Sequence, residues 1–191
     1  PDGHGMVLRI RETPTQPLLP LTKYEQRVMK LRARGLMYPY ELIRILTPSA
    51  ERASLDLPAG RFEEYDLDGE GRLVPVERPP GRNTANIVVG LLRNFSKKYP
   101  EGMTRVALFG DPSRAMGSLA EPECRRIIEA LALAARMQVP LEWYAVSAGA
   151  EISTERGTEN MDWISEVLKR IVEHTQAGHE INVVVCNINV G

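Results

Sequence analysis

Leu141-Glu142-Trp143-Tyr144-Ala145-Val146-Ser147-Ala148-Gly149-Ala150 is the stretch that decides the fold class. Leu141–Val146 reads as a strand, and the four small residues after it break the pattern. Two long helical stretches flank it. Upstream, Cys124, Ile127, Ile128, Leu131 and Ala135 recur at spacings that line one side of a 3.6-residue helix. Two starts compete for this helix. Ser118 and Glu121 have the spacing of a capping box, while Pro122 suits the first helical position. Downstream, Met161, Ile164, Leu168, Ile171, Val172 and Thr175 form a second stripe, and Gly178 ends it. Ile87-Val88-Val89 and Val106–Phe109 read as strands. Ile181–Val185 is a near-continuous apolar strand of the kind buried on both faces. The order strand–strand–helix–strand–helix–strand predicts an α/β fold with helices packed on a sheet.

The part before Asn83 is less regular. Pro14, Pro17 and Pro20, with Gly3 and Gly5, mark residues 1–22 as an extended lead-in. From Thr22 the pattern turns helical around Val28, Leu31 and Ala33, with Gly35 as its stop. A short helix is expected over Tyr40–Leu46, ended by Thr47-Pro48. Phe62–Leu67 and Leu73–Val76 flank Asp68-Gly69-Glu70-Gly71 and read as a small hairpin.

Composition narrows the function classes. The chain has 191 residues, 24 Lys plus Arg against 25 Asp plus Glu, 43 % apolar and 26 % charged residues. These are ordinary values for a globular chain, and they exclude collagen, a coiled coil and a wholly disordered tail. A near-zero net charge argues against nucleic acid as a partner. No apolar run reaches the roughly 18 residues of a membrane span, and no signal peptide is evident. Two cysteines, Cys124 and Cys186, build no disulfide framework, so a reducing, cytoplasmic setting is expected. The chain runs from Pro1 to Gly191, directly after an apolar run, and reads as part of a longer polypeptide.

Few side chains suggest chemistry. The turn Ser147-Ala148-Gly149-Ala150 is the first candidate. Its small residues let a ligand approach the backbone, and its successive N–H groups can face a carbonyl oxygen and stabilise an enolate or oxyanion. A tight connection with nothing bound fits the same residues. Gly191, just past a strand, can likewise mark a close approach or a simple turn. Gly110–Ser118 lacks the lysine and spacing of a phosphate loop and reads as a surface turn. His174 and His179 flank a helix end, where the dipole favours a cation. The histidines and cysteines show no metal-ligand spacing, so no metal is expected. Cys124 and Cys186 read as packed thiols. No Gly-x-Ser-x-Gly elbow exists. Glu155–Asn160 reads as a solvated loop, and the basic run Lys23, Arg27, Lys30, Arg32 and Arg34 as a solvated face.

Several blocks resemble a known family. Asp68-Gly69-Glu70-Gly71-Arg72-Leu73 leads into Val76-Glu77-Arg78-Pro79-Pro80-Gly81. Tyr99-Pro100-Glu101-Gly102, Gly117-Ser118-Leu119 and Ser147-Ala148-Gly149-Ala150 follow in order. Gly157-Thr158-Glu159-Asn160-Met161-Asp162-Trp163 and Ile188-Asn189-Val190-Gly191 complete the series, and Tyr38-Pro39-Tyr40-Glu41-Leu42 stands upstream. Together they resemble the N-terminal, crotonase-like half of the carboxyltransferase domain of biotin-dependent acyl-CoA carboxylases, of the multidomain single-chain type. The resemblance implies a partial crotonase-like ββα superhelix over residues 67–191, preceded by a mostly helical and hairpin lead-in over 1–66.

The resemblance also implies a reaction: a carboxyl group passes from carboxybiotin, borne on a carrier domain, to the α-carbon of an acyl-CoA through an enolate. It assigns the backbone N–H groups of Ala148 and Gly149 to the thioester oxygen, and Ser147, Ala150 and Gly191 to the lining of the same pocket. Acyl-CoA, the biotin carboxyl carrier and biotin carboxylase domains, and the C-terminal carboxyltransferase half of a partner protomer in a homo-oligomer are the implied partners. One residue departs from the pattern: Glu151 stands where the family carries Arg or Lys, and a carboxylate there would repel CoA phosphates. A non-catalytic assembly domain and a decarboxylase acting on a malonyl-type thioester are the alternative readings.

Overall fold

The computed structural model describes residues 20–151 and 158–185. Within them six strands form one open, mixed sheet. They are β1 (Gly60–Leu67), β2 (Leu73–Pro75), β3 (Ile87–Asn94), β4 (Met103–Gly110), β5 (Leu141–Ala145) and β6 (Ile181–Val185), in the spatial order β2-β1-β3-β4-β5-β6. The first four in that order are antiparallel, while β5 and β6 run parallel to β4. The helices are α1 (Lys23–Arg32), α2 (Pro39–Leu46), α3 (Glu121–Met137) and α4 (Glu159–Gln176). This is the expected α/β class, and no helix among the described residues is long and apolar enough to cross a membrane.

Strand alternation divides the core. Side chains along a strand point to opposite faces. Val88 and Leu92 of β3, Ala107 and Phe109 of β4, and Tyr144 of β5 pack with Leu31, Tyr38, Tyr40 and Ile43 of the α1–α2 region. Ile87, Val89 and Leu91, with Val106, Leu108 and Leu141, pack instead with Cys124, Ile127, Ala130, Leu131 and Ala134 of α3 and Val167 of α4. On the first face Phe62 meets Phe109 edge-on at 5.6 Å, and Phe109 stacks on Tyr144 at 4.7 Å. Gly90 makes this possible: a Cβ there would lie 2.4 Å from the Phe62 ring.

The lead-in helices form where expected. Thr22 caps α1 in a capping box: the Glu25 N–H donates to its hydroxyl at 3.2 Å, and its own N–H donates to the Glu25 carboxylate at 2.8 Å. Pro39 stands at the start of α2, where its missing N–H costs nothing. Asp66 on β1 holds Arg78 and Arg126, tying the strand to α3 and to the segment after β2. Burial pushes its pKa up, but the two guanidiniums and two further donors outweigh this and hold it below the usual value.

Three expectations are corrected. The start of α3 uses neither competing signal as read: Ala120 is the cap, Pro122 falls in the first turn, and Glu123 reaches back to accept the Ala120 N–H at 3.0 Å. The stripe on α4 is rotated. Ile164 and Ile171 do pack on the core, but Met161, Leu168 and Val172 are exposed while Val167 and His174 are buried. The cause is that α4 rests mainly on α3, so the covered side follows Val167. Finally, β6 is not buried on both faces. It is the edge strand of the described sheet, and Val183 and Val185 are 58 % and 65 % exposed.

Candidate functional site

The Ser147–Ala150 turn leaves β5 where the parallel strands β4 and β5 end. Crevices outside the carboxyl ends of parallel strands are where open α/β sheets bind ligands. The turn is built against a second segment, Gly110–Leu119, which leaves the neighbouring strand. Two glycines let the backbones touch. A Cβ at Gly110 would lie 2.3 Å from the Val146 carbonyl oxygen, and one at Gly117 would lie 2.5 Å from the same atom. Between them Ala115 and Met116 hold φ values of 41° and 52°, a left-handed conformation that costs non-glycine residues about 1 kcal/mol or more each.

Hydrogen bonds then join the two segments. The Leu119 N–H donates to the Gly149 carbonyl at 2.8 Å, and the Glu151 N–H to the Leu119 carbonyl at 2.9 Å, a short parallel bridge at Ala150. The Ala148 N–H donates to the Met116 carbonyl at 3.2 Å. The Gly149 N–H donates to the Ser147 hydroxyl at 3.0 Å. Gly149 has φ 89° and open space where a Cβ would stand, so its glycine is required by conformation rather than by crowding.

Buried amides and carboxylates brace this arrangement from below. The Asn86 N–H donates to Glu123 at 2.8 Å, and the Asn86 side chain donates to the Ser118 carbonyl at 2.9 Å. Asp111, fully buried, accepts from the Asn83 side chain at 2.8 Å and from the Ser113 N–H at 3.0 Å. Arg114 donates to the Asn83 carbonyl. One short segment, residues 83–86, thus holds the loop before α3, the start of α3 and the end of β4.

The expected site residues therefore divide. Ser147, Ala148, Gly149 and Ala150 come together in one turn, with Ala148 and Gly149 exposed and Ser147 and Ala150 half-buried. Gly191 lies outside the described residues, as do His4, Gly157 and Cys186. Glu151 is fixed by its backbone, whose carbonyl accepts from the buried Asn160 side chain at 2.8 Å. Gly110–Ser118, read from sequence as an ordinary surface turn, is the wall on which the site stands. The only signal for it was the pair Gly110 and Gly117, which sequence alone does not connect to Val146.

Elsewhere the chemistry is structural. Cys124 is fully buried, and burial pushes its thiol up to about 11. His174 is also buried, and burial and the neighbouring His179 ring at 4.6 Å lower its pKa. At His174 burial and the neighbouring ring therefore work against the cation expected at the helix end. A groove of about 1070 Å³ runs between α2, β1 and Val76–Pro80, away from the Ser147 turn. Its most buried charges, Glu64 and Arg78, are already paired with each other.

No protein-family model matches the chain. Over 103 residues, 53 % of this chain, it is 27 % identical to the acetyl-CoA carboxylase of Schizosaccharomyces pombe. The match spans 4 % of that relative's length. The similarity is a distant relationship to a carboxylase.

Proposed function

We propose that this chain supplies part of the acyl-CoA site in the carboxyltransferase component of a biotin-dependent carboxylase, on a crotonase-like scaffold. The distant similarity to an acetyl-CoA carboxylase supports the class. The observation that carries the site is the exposed Ala148-Gly149 peptide, presented at the ends of two parallel strands with open space where a Gly149 side chain would stand. Small residues in such a turn let a carbonyl oxygen, such as that of a thioester, approach the backbone.

Carboxybiotin on a carrier domain supplies the carboxyl group. The task of this chain is positioning and charge stabilisation. In this reading the biotin that releases its carboxyl group as carbon dioxide would take the α-proton of the acyl group, the enolate would then add to the carbon dioxide, and until it does negative charge collects on the thioester oxygen. In the same reading the N–H groups of Ala148 and Gly149 stabilise that charge once they give up the Met116 carbonyl and the Ser147 hydroxyl, while Ser147 and Ala150 keep the approach narrow. No protein nucleophile enters, since the turn needs only to be rigid and dry at the moment charge develops. The carrier and biotin carboxylase domains, and the second carboxyltransferase half of a partner protomer, complete the reaction.

Gly149→Pro tests this in the full-length protein, because it deletes one donor and cannot adopt φ 89°. Loss of one oxyanion donor typically costs about 100- to 1,000-fold in kcat, and that is the expected fall in carboxyl transfer to acetyl-CoA. An unchanged rate removes the turn from the mechanism. A melting temperature close to the parent's separates this from unfolding.

A further inference from the structure

Both N–H groups assigned to the thioester oxygen already have acceptors within the chain. An oxyanion site acts by holding donors ready, so this turn, as it stands, is closed. The two acceptors are not equivalent. Met116 offers a backbone carbonyl, in a segment braced by Gly117 and by the Asn86 bond to Ser118. Ser147 offers a side-chain hydroxyl on the half-buried first residue of the turn, 3.0 Å from the Gly149 nitrogen. A hydroxyl leaves by turning about χ1 between staggered positions, with no change in the backbone. A carbonyl leaves only if its peptide moves.

We infer that Ser147 is a positioning residue that occupies the Gly149 N–H in the empty site and is displaced by the incoming thioester oxygen. This deepens the acyl-CoA reading above and rests on it for the identity of the ligand. The hydroxyl keeps the Gly149 N–H aimed within the turn when no substrate is present. It also competes with substrate, so it weakens binding by the strength of the bond it makes. An ordinary intramolecular hydrogen bond, after exchange with water, shifts an equilibrium by about 2- to 12-fold. Ser147 thereby trades affinity for a fixed geometry at Gly149.

The test compares the full-length protein with its Ser147→Ala variant in three measurements: acetyl-CoA affinity by calorimetry, steady-state carboxyl transfer, and hydrogen exchange at the Gly149 amide. The variant should bind acetyl-CoA about 3- to 10-fold more tightly, in line with the loss of one competing bond. The gain should fall on KM rather than kcat, and the Gly149 amide should exchange faster by a similar factor in the empty protein. Equal or weaker binding, or an unchanged exchange rate, overturns the inference, because the hydroxyl is then a packing or substrate contact. If the parent binds acetyl-CoA but transfers no carboxyl group, the carboxyltransferase reading fails while the affinity and exchange measurements still judge Ser147. If neither protein binds acetyl-CoA, both ideas fall.

Discussion

Helices α3 and α4 are built from sequences of the same design, yet they are used differently. Each carries an apolar stripe at helical spacing, and each follows a parallel strand through a crossover. In α3 most of the stripe is covered: Cys124, Ile127 and Leu131 are buried and Ile128 and Ala135 half-buried, with Ala130 and Ala134 buried beside them. In α4 only Asn160, Val167 and His174 are buried, and Met161, Leu168 and Val172 are 52 %, 58 % and 51 % exposed. The difference lies in neighbours. α3 packs against both the sheet and α4, so two sides are covered; α4 rests mainly on α3 and leaves Leu168 exposed. Periodicity identifies a helix. It does not say which part of the apolar arc will find a partner.

Paired truncations put the largest numbers on this contrast. Ile127→Ala removes a side chain 1 % exposed, and a buried isoleucine truncated to alanine costs about 2–5 kcal/mol. Leu168→Ala removes one that is 58 % exposed, where changes stay within about 0.5 kcal/mol. Denaturant titration of both variants checks the ratio. Equal losses would mean that Leu168 is covered in solution and that the two helices are equivalent after all.

A smaller effect should come from the seam between the helices. Arg125 of α3 lies over the Trp163 ring of α4 at 4.8 Å, while also pairing with Glu121. An exposed cation–π contact contributes about 0.5–1 kcal/mol. Arg125→Ala should therefore lower stability by about that amount in the parent and by less in a Trp163→Leu background. A double-mutant cycle with no coupling would show that the two helices are held by the apolar seam alone.

Much of the fold was legible because its signals are local. The helical start at Thr22, the glycine after α1, the hairpin at Asp68–Gly71 and the stripe of α3 each need only a few neighbouring residues. Of the candidate site, only one of its two segments stands out in the sequence. Ser147–Ala150 stands out as four small residues after an apolar strand. Its supporting wall does not, because the contacts of Gly110 and Gly117 with the Val146 carbonyl join residues about thirty positions apart in sequence. The rotated face of α4 and the exposed β6 were misread for a related reason. Apolar composition implies burial only where another surface is present, and sequence periodicity contains no information about that surface.

The histidine at the end of α4 offers the finest probe of the same contrast, since it is the buried titratable group on a largely exposed helix. Burial and His179 both lower the His174 pKa from its usual 6.5. The unfolded chain therefore binds a proton at higher pH than the folded one. By linkage, stability is fully present above about 6.5 and declines as pH falls through that value toward the lower folded pKa. The Nε2 atom of His174 has no hydrogen-bond partner, so protonation in place would add an uncompensated buried charge. His174→Gln should flatten the fall in melting temperature between pH 7 and lower values, without abolishing folding. Parallel curves for parent and variant would show that the helix end opens before the ring takes its proton. In that case α4 would be loose at its buried end as well as bare on its outer face, and its contrast with α3 would be one of local stability rather than of coverage alone.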